Sequence, residues 1–387
     1  FRRDRVLVVR VNLPGVAHSR SEASLRRLLF DRGAGASSAA SYVYEVSKGA
    51  LLLEEGAILT LEAPVQATGE AARRAITDHV LRTLQGRDLS AFDWVDNRLG
   101  TPGADGVPDH LWIVAPGSPS VVTAREDDLP VESRLVPLPW EPDRRWGVVF
   151  FTEETPLGFI THELLHAQGE HRVDDHYVVG RSTTSGGWDP MDAGMLRGWD
   201  RQDPEQGPWL EDMAYSPAQP MAWTRRDLWY HGAFRETVPV QSVTTLPWEG
   251  WIDPLVRAPG AHPQALRVAD PRRKGAFWEL SVRRPLGFDR GRVGGRWGPG
   301  YEGLVVAHID PSRLSTGGPS RGPVRVVDAH PGTKEPPKPR YPGGRWQLED
   351  AAFNLGPREV RSGKDGPLRW QVLEADAAGR LRVRVAR

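Results

Sequence analysis

His162, Glu163 and His166 stand in a His-Glu-x-x-His spacing between Gly158 and Gly169, a stretch whose residue types and spacing suit a hydrolytic metal site. On a helix, positions four apart lie one above the other, so both imidazoles would reach a single ion, zinc being the ion this pattern fits. Glu163 sits one position round the helix, near enough to hold an attacking water yet clear of the two ligands, which is where a general base has to be. Gly169 suits the left-handed conformation that stops a helix and turns the chain back. A third ligand would then come from the following segment, where His171, Asp174, Asp175 and His176 are the candidates. The bland alternative is a solvated helix carrying two histidines and a glutamate, which needs neither a glycine stop nor a partner motif downstream.

The elements that must position this helix alternate. Val6 to Val11 is a β-branched run expected to form a core strand, and Ser21 to Phe30 has leucines at helical spacing. Further helices are expected over Ser38 to Val46 and Glu70 to Leu84, the latter with Ala72, Ile76, Val80, Leu81 and Leu84 on one apolar face. Strands are expected at Ile58 to Ala63, Leu111 to Val114 and Val148 to Phe151, the last shortly before the histidine helix. Strands and helices alternating in this way make an α/β arrangement. Beyond it, Asp200 to Pro208 is loop-like and Pro220 to Tyr230 is expected to be helical, with proline near the first turn. From Val238 onward short β-like runs are separated by Gly and Pro; they include Ala265 to Val268, Phe277 to Val282, Leu304 to Ala307 and Val324 to Val327. A terminal hairpin is expected between Leu368 and Val385, and Pro331 to Gly344 is expected to be an exposed loop. The chain thus divides into a catalytic region over 1–235 and a β-rich region over 236–387.

Acidic and basic side chains balance at 50 each, so no net field argues for nucleic acid or an anionic membrane surface. Cysteine is absent, which excludes disulfides and thiolate metal sites. No apolar run approaches the ~18 residues needed to span a bilayer. The first residue is Phe1, which points to a removed upstream segment. The 15 tryptophans are expected mainly in core contacts. Asp93, Asp96, Asn97, Asp105 and Asp109 make an oxygen-rich stretch of a kind that suits calcium. His308, on an apolar strand with Asp310 close by, is expected to be a satisfied core residue.

Downstream of the histidines come Asp174, Asp175, His176 and Tyr177, then Ser185 to Gly194 with Trp188, Asp189, Met191 and Asp192. Helix, glycine, acidic D-x-Y cluster and Gly-x-Trp-Asp-x-Met together resemble the M6 family of secreted bacterial metallopeptidases, the immune inhibitor A type. Ser41 to Gly49 looks like that family's S-Y-x-x-E-x-S-x-G stretch, and Asp105 to Asp109 like its D-G-x-x-D turn. Glu279 to Arg283, Gly287 to Asp289 and Gly303 to Asp310 are similar to its later E-x-x-x-R, G-F-D and G-L-x-x-x-H-I-D pieces.

The resemblance implies a metzincin-like catalytic domain with Met191 in a tight turn beneath the metal. It also implies secretion and protein or peptide substrates. The general metzincin pattern would put the third ligand at Arg172, whose guanidinium has no lone pair to give. The family's D-x-Y instead points to Asp175, after a short insertion, with His176 next in line. The expected activity is that of a zinc endopeptidase with ligands His162, His166 and Asp175 and with Glu163 as the base. Tyr177 is placed either to donate to the developing oxyanion or to pack against the ligand loop. Two other readings share these residues: a non-catalytic binding module stabilised by its metal, and a zinc hydrolase of a non-protein substrate.

Overall fold

Val6, Leu7, Val8, Val9 and Val11 are wholly buried, the pattern of a parallel strand covered on both faces. They belong to β1 (Arg2–Asn12) in a computed structural model that describes residues 2–33, 36–66, 68–96, 101–118, 129–168, 173–176, 184–196, 217–290, 302–313, 322–332 and 347–387. The architecture is mixed α/β, and the chain divides into two compact units. Phe1–Val173 and Trp229–Ala233 fall in the first. The described residues of Asp174–Asp203 and Ser216–Leu228, with Phe234–Arg387, fall in the second.

In the first unit β1 is followed by α1 (Glu22–Phe30), α2 (Ala39–Val46), β2 (Leu51–Glu62) and α3 (Gly69–Leu84). After a short ladder of β3 (Val95–Asp96) and β4 (Thr101–Pro102) come β5 (His110–Ala115), β6 (Glu132–Leu138), β7 (Glu141–Thr152) and α4 (Leu157–Ala167), the histidine helix. Both early helices start on a serine cap: Ser21 accepts from the Ser24 N–H, and Ser38 and Ser41 form a reciprocal capping box. The sheet runs β2-β1-β5-β7-β6, all parallel except β6, which lies antiparallel to β7 at the edge. The apolar face of α3 is buried against this sheet through Ala72, Ile76, Val80, Leu81 and Leu84. Pro137 sits on β6, consistent with an edge strand, because proline has no N–H for a second neighbour.

α4 packs against β6, β7 and α2. It is apolar nearly all round, with Leu157, Phe159, Ile160, Leu164, Leu165 and Ala167 buried, as a helix covered on most sides must be. Its first turn is satisfied by Pro156, whose carbonyl accepts from the Phe159 and Ile160 N–H groups. The helix ends at Ala167 with Gln168 extended, and Gly169, the expected stop, lies outside the described residues.

Among the described residues the second unit holds two sheets. β8 (Val240–Ser242), β9 (Trp248–Ile252), β10 (Ala265–Ala269), β11 (Phe277–Arg283), β12 (Gly303–Ile309), β13 (Val324–Val326), β14 (Ser362–Asp365), β15 (Leu368–Ala375) and β16 (Leu381–Ala386) arrange as β13-β12-β11-β10-β8 and β14-β15-β16-β9. Alternate residues of both sheets share one core: Leu266, Trp278, Leu280 and Val306 from one, Trp370, Val372, Val383 and Val385 from the other. The opposite face of the first sheet, through Val305, Ala307 and Ile309, packs on Trp188, Met221 and Trp223.

The expected strand at Ile58 to Ala63 begins earlier, at Leu51, and β6, β8, β9 and β14 were not anticipated. Over the expected helix of Pro220 to Tyr230, a π-helical turn (Thr224–Leu228) and a 3-10 turn (Trp229–Gly232) replace a regular α-helix. The Asp200 to Pro208 loop lies outside the described residues, as does most of Pro331 to Gly344. Trp112, Trp146, Trp188, Trp229 and Trp278 are fully buried. Among the described residues no helix is long and apolar enough to cross a membrane.

Candidate metal centre

The one-turn offset along α4 brings His162 and His166 together edge to face, with ring centroids 4.7 Å apart. Their Nε2 atoms approach to 3.1 Å. His162 is buried and His166 is partly so. The Nδ1 of His166 is 2.5 Å from the Val173 carbonyl oxygen, an acceptor with no proton of its own. Nδ1–H is therefore the donor, which leaves Nε2 with its lone pair. Two nitrogens held about 2.0–2.1 Å from one ion at a tetrahedral angle stand roughly 3.3 Å apart, close to what is seen here.

Among the described residues, Asp175 is the one further residue grouped with these two histidines as able to hold a metal ion. One ligand atom from each of His162, His166 and Asp175 lies within 4.8 Å of the others, and this is the one such group among the described residues. Two imidazoles and a carboxylate are an N/O set suited to a borderline divalent ion, and three protein donors leave a position open.

The other candidates are placed differently. His176 is fully buried, stacked on Trp223 with centroids 5.6 Å apart, its Nδ1 3.7 Å from Asp189 Oδ1. Its backbone N–H donates to the Met191 carbonyl at 2.8 Å. Asp174 accepts the Asp175 N–H at 2.9 Å. Gly169, His171, Arg172 and Tyr177 lie outside the described residues.

Glu163, next to the first histidine, accepts a hydrogen bond from Ser133 Oγ on β6 at 2.9 Å. Nothing in the sequence singled out Ser133, because its strand was not anticipated and its partner is thirty residues away.

The methionine segment is a tight turn built on two buried aspartates. Asp189 accepts from the Met191 and Met221 N–H groups and from Thr224 Oγ1, and Asp192 from the Thr184, Ser185 and Gly186 N–H groups. Met191 is wholly buried. Only glycine fits at 194, where a Cβ would come within 2.3 Å of the Asp189 carbonyl oxygen.

The oxygen-rich stretch before β5 turns its carboxylates inward. Asp93 accepts from the Asp105 and Gly106 N–H groups, Asp105 from Val107, and Asp109 from Arg5, Trp94 and Val95. In these bonds Asp93, Asp105 and Asp109 act as turn-builders; Asn97 lies outside the described residues. His308 is paired with Asp270 at 2.9 Å and meets Trp278 edge-on.

No protein-family model matches the chain, and a search of curated proteins returns no match either.

Proposed function

We propose that the protein is a zinc-dependent endopeptidase. The observation that carries this reading is the grouping of one ligand atom each from His162, His166 and Asp175 within 4.8 Å of one another, with Glu163 next to His162 in the chain. Zinc held there would lower the pKa of a water to about 7 and polarise a scissile carbonyl. Glu163 takes the proton of the attacking water and passes it to the leaving amine, a contribution of roughly 10²–10⁴ in rate. Ser133 keeps the Glu163 carboxylate in one orientation while it does so. The Val173 carbonyl fixes the tautomer of His166.

A peptide rather than a small molecule is favoured by β6. It pairs with β7 on one side, runs along the helix that carries Glu163, and is the terminal strand of its sheet. An extended chain can add to such an edge through backbone hydrogen bonds. The resemblance to the M6 peptidases, with secretion as its corollary, points the same way.

The test is cleavage of casein by the zinc-loaded protein, its Glu163→Gln variant and a chelator-treated sample. Glu163→Gln should keep its zinc and lose activity by orders of magnitude. The proposal is overturned if the variant matches the parent, or if metal analysis returns iron and no protein is cut, since two histidines and one carboxylate also form the iron site of oxygenases.

A further inference from the structure

Within the second unit, a cavity of about 250 Å³ is walled by arginine side chains. Arg272, Arg313 and Arg325 line it with His308, Asp310 and Asp365. Its carboxylates are already engaged. Asp310, with its side chain 3 % exposed, meets Arg273 at 2.5 Å and Arg313 at 3.0 Å. Asp365 accepts from Trp278 Nε1 at 2.8 Å and pairs with Arg325. Asp270, behind the wall, takes Arg272 through two bonds of 2.9 Å and His308 through a third. Four guanidiniums thus share three carboxylates.

A guanidinium has five N–H donors, and each wall arginine commits only one or two to its aspartate. Arg313 and Arg325 remain about a third exposed. The aspartates hold the forks in place, so few arginine rotamers remain to be frozen when a guest arrives. A cation entering here would meet surplus positive charge. A group with several acceptor oxygens would meet prepositioned donors, the pairing that arginine forms most strongly.

We propose that this cavity binds a small oxyanion, a phosphate or carboxylate group. Its volume is below the range usual for drug-sized ligands, which limits the guest to a compact anion. The site is separate from the peptidase reading and stands or falls without it.

The test is calorimetric titration and thermal unfolding of the full chain with inorganic phosphate and with succinate, ionic strength being held constant with chloride. Saturable binding and a rise in the unfolding midpoint are expected. Preference for phosphate assigns a phosphoryl guest, and preference for succinate a carboxylate one. Arg313→Gln, which leaves Asp310 its Arg273 partner, and Arg325→Gln should each weaken binding about tenfold or more. Arg369→Gln, outside the cavity wall, should not. Absence of saturable binding by either anion, or unchanged affinity in both cavity variants, overturns the proposal and leaves the arginines as a purely structural network.

Discussion

Ser133 Oγ donates to Glu163 Oε2 across 2.9 Å, tying the edge strand β6 to the carboxylate between the two histidines. If Glu163 is the base, this bond sets where its free oxygen points. Ser133→Ala should lower kcat by about tenfold, the order expected for losing a hydrogen bond to a charged group, with KM and zinc content little changed. Ser133→Thr should recover much of the loss. An unaltered kcat in the alanine variant would sink the positioning role without touching the metal site.

Asp175 and Asp174 are adjacent carboxylates with different placements: among the described residues Asp175 is grouped with the histidines, whereas Asp174 accepts the Asp175 N–H. Asp175→Ala should weaken zinc binding by at least the roughly 10–100-fold that outer-shell changes cost. Asp174→Ala should leave affinity near the parental value. Competition titration with a chromophoric chelator checks both, and the opposite ranking would assign the third ligand to Asp174.

Acid should loosen the first unit through Asp4. Burial pushes this carboxyl up, but the charge of Arg2 and a hydrogen bond from His110 outweigh burial and hold it at about 2. A carboxyl depressed in the folded state contributes stability that is fully present above its unfolded value near 4 and is lost as pH falls towards 2. The contribution is on the order of 2 kcal/mol. Urea unfolding should therefore show stability falling between pH 4 and pH 2, and Asp4→Asn should flatten that part of the curve.

Gly194 closes the methionine turn where no side chain fits. Gly194→Ala should cost about 1–3 kcal/mol or more, as overpacking against backbone does. Gly332→Ala, at a site where no atom of the described residues lies within 4 Å of the new methyl, should be close to neutral. Equal melting temperatures for the two variants would show that the turn yields readily.

The residues on α4 were legible because helical periodicity is local: four positions apart means one face, whatever else the chain does. The apolar stripe of α3 and the buried run of β1 were legible for the same reason. β6 was not, since Glu132 to Leu138 has little alternation, contains Pro137, and is a strand by virtue of pairing with β7. Ser133 was invisible along with it. In the acidic stretch from Asp93 to Asp109, composition suggested calcium but could not show that Asp93 and Asp109 cap backbone N–H groups, because only the folded turns present them.

By itself the sequence determined a pair of imidazoles one turn apart with a carboxylate between them, because residue spacing on a helix fixes direction. Tertiary structure decided that His176, one of the candidate ligands, stacks on Trp223, and that Ser133 meets Glu163. Those choices depend on where separate segments come to rest, which is set by packing and strand register over distances that no local pattern encodes.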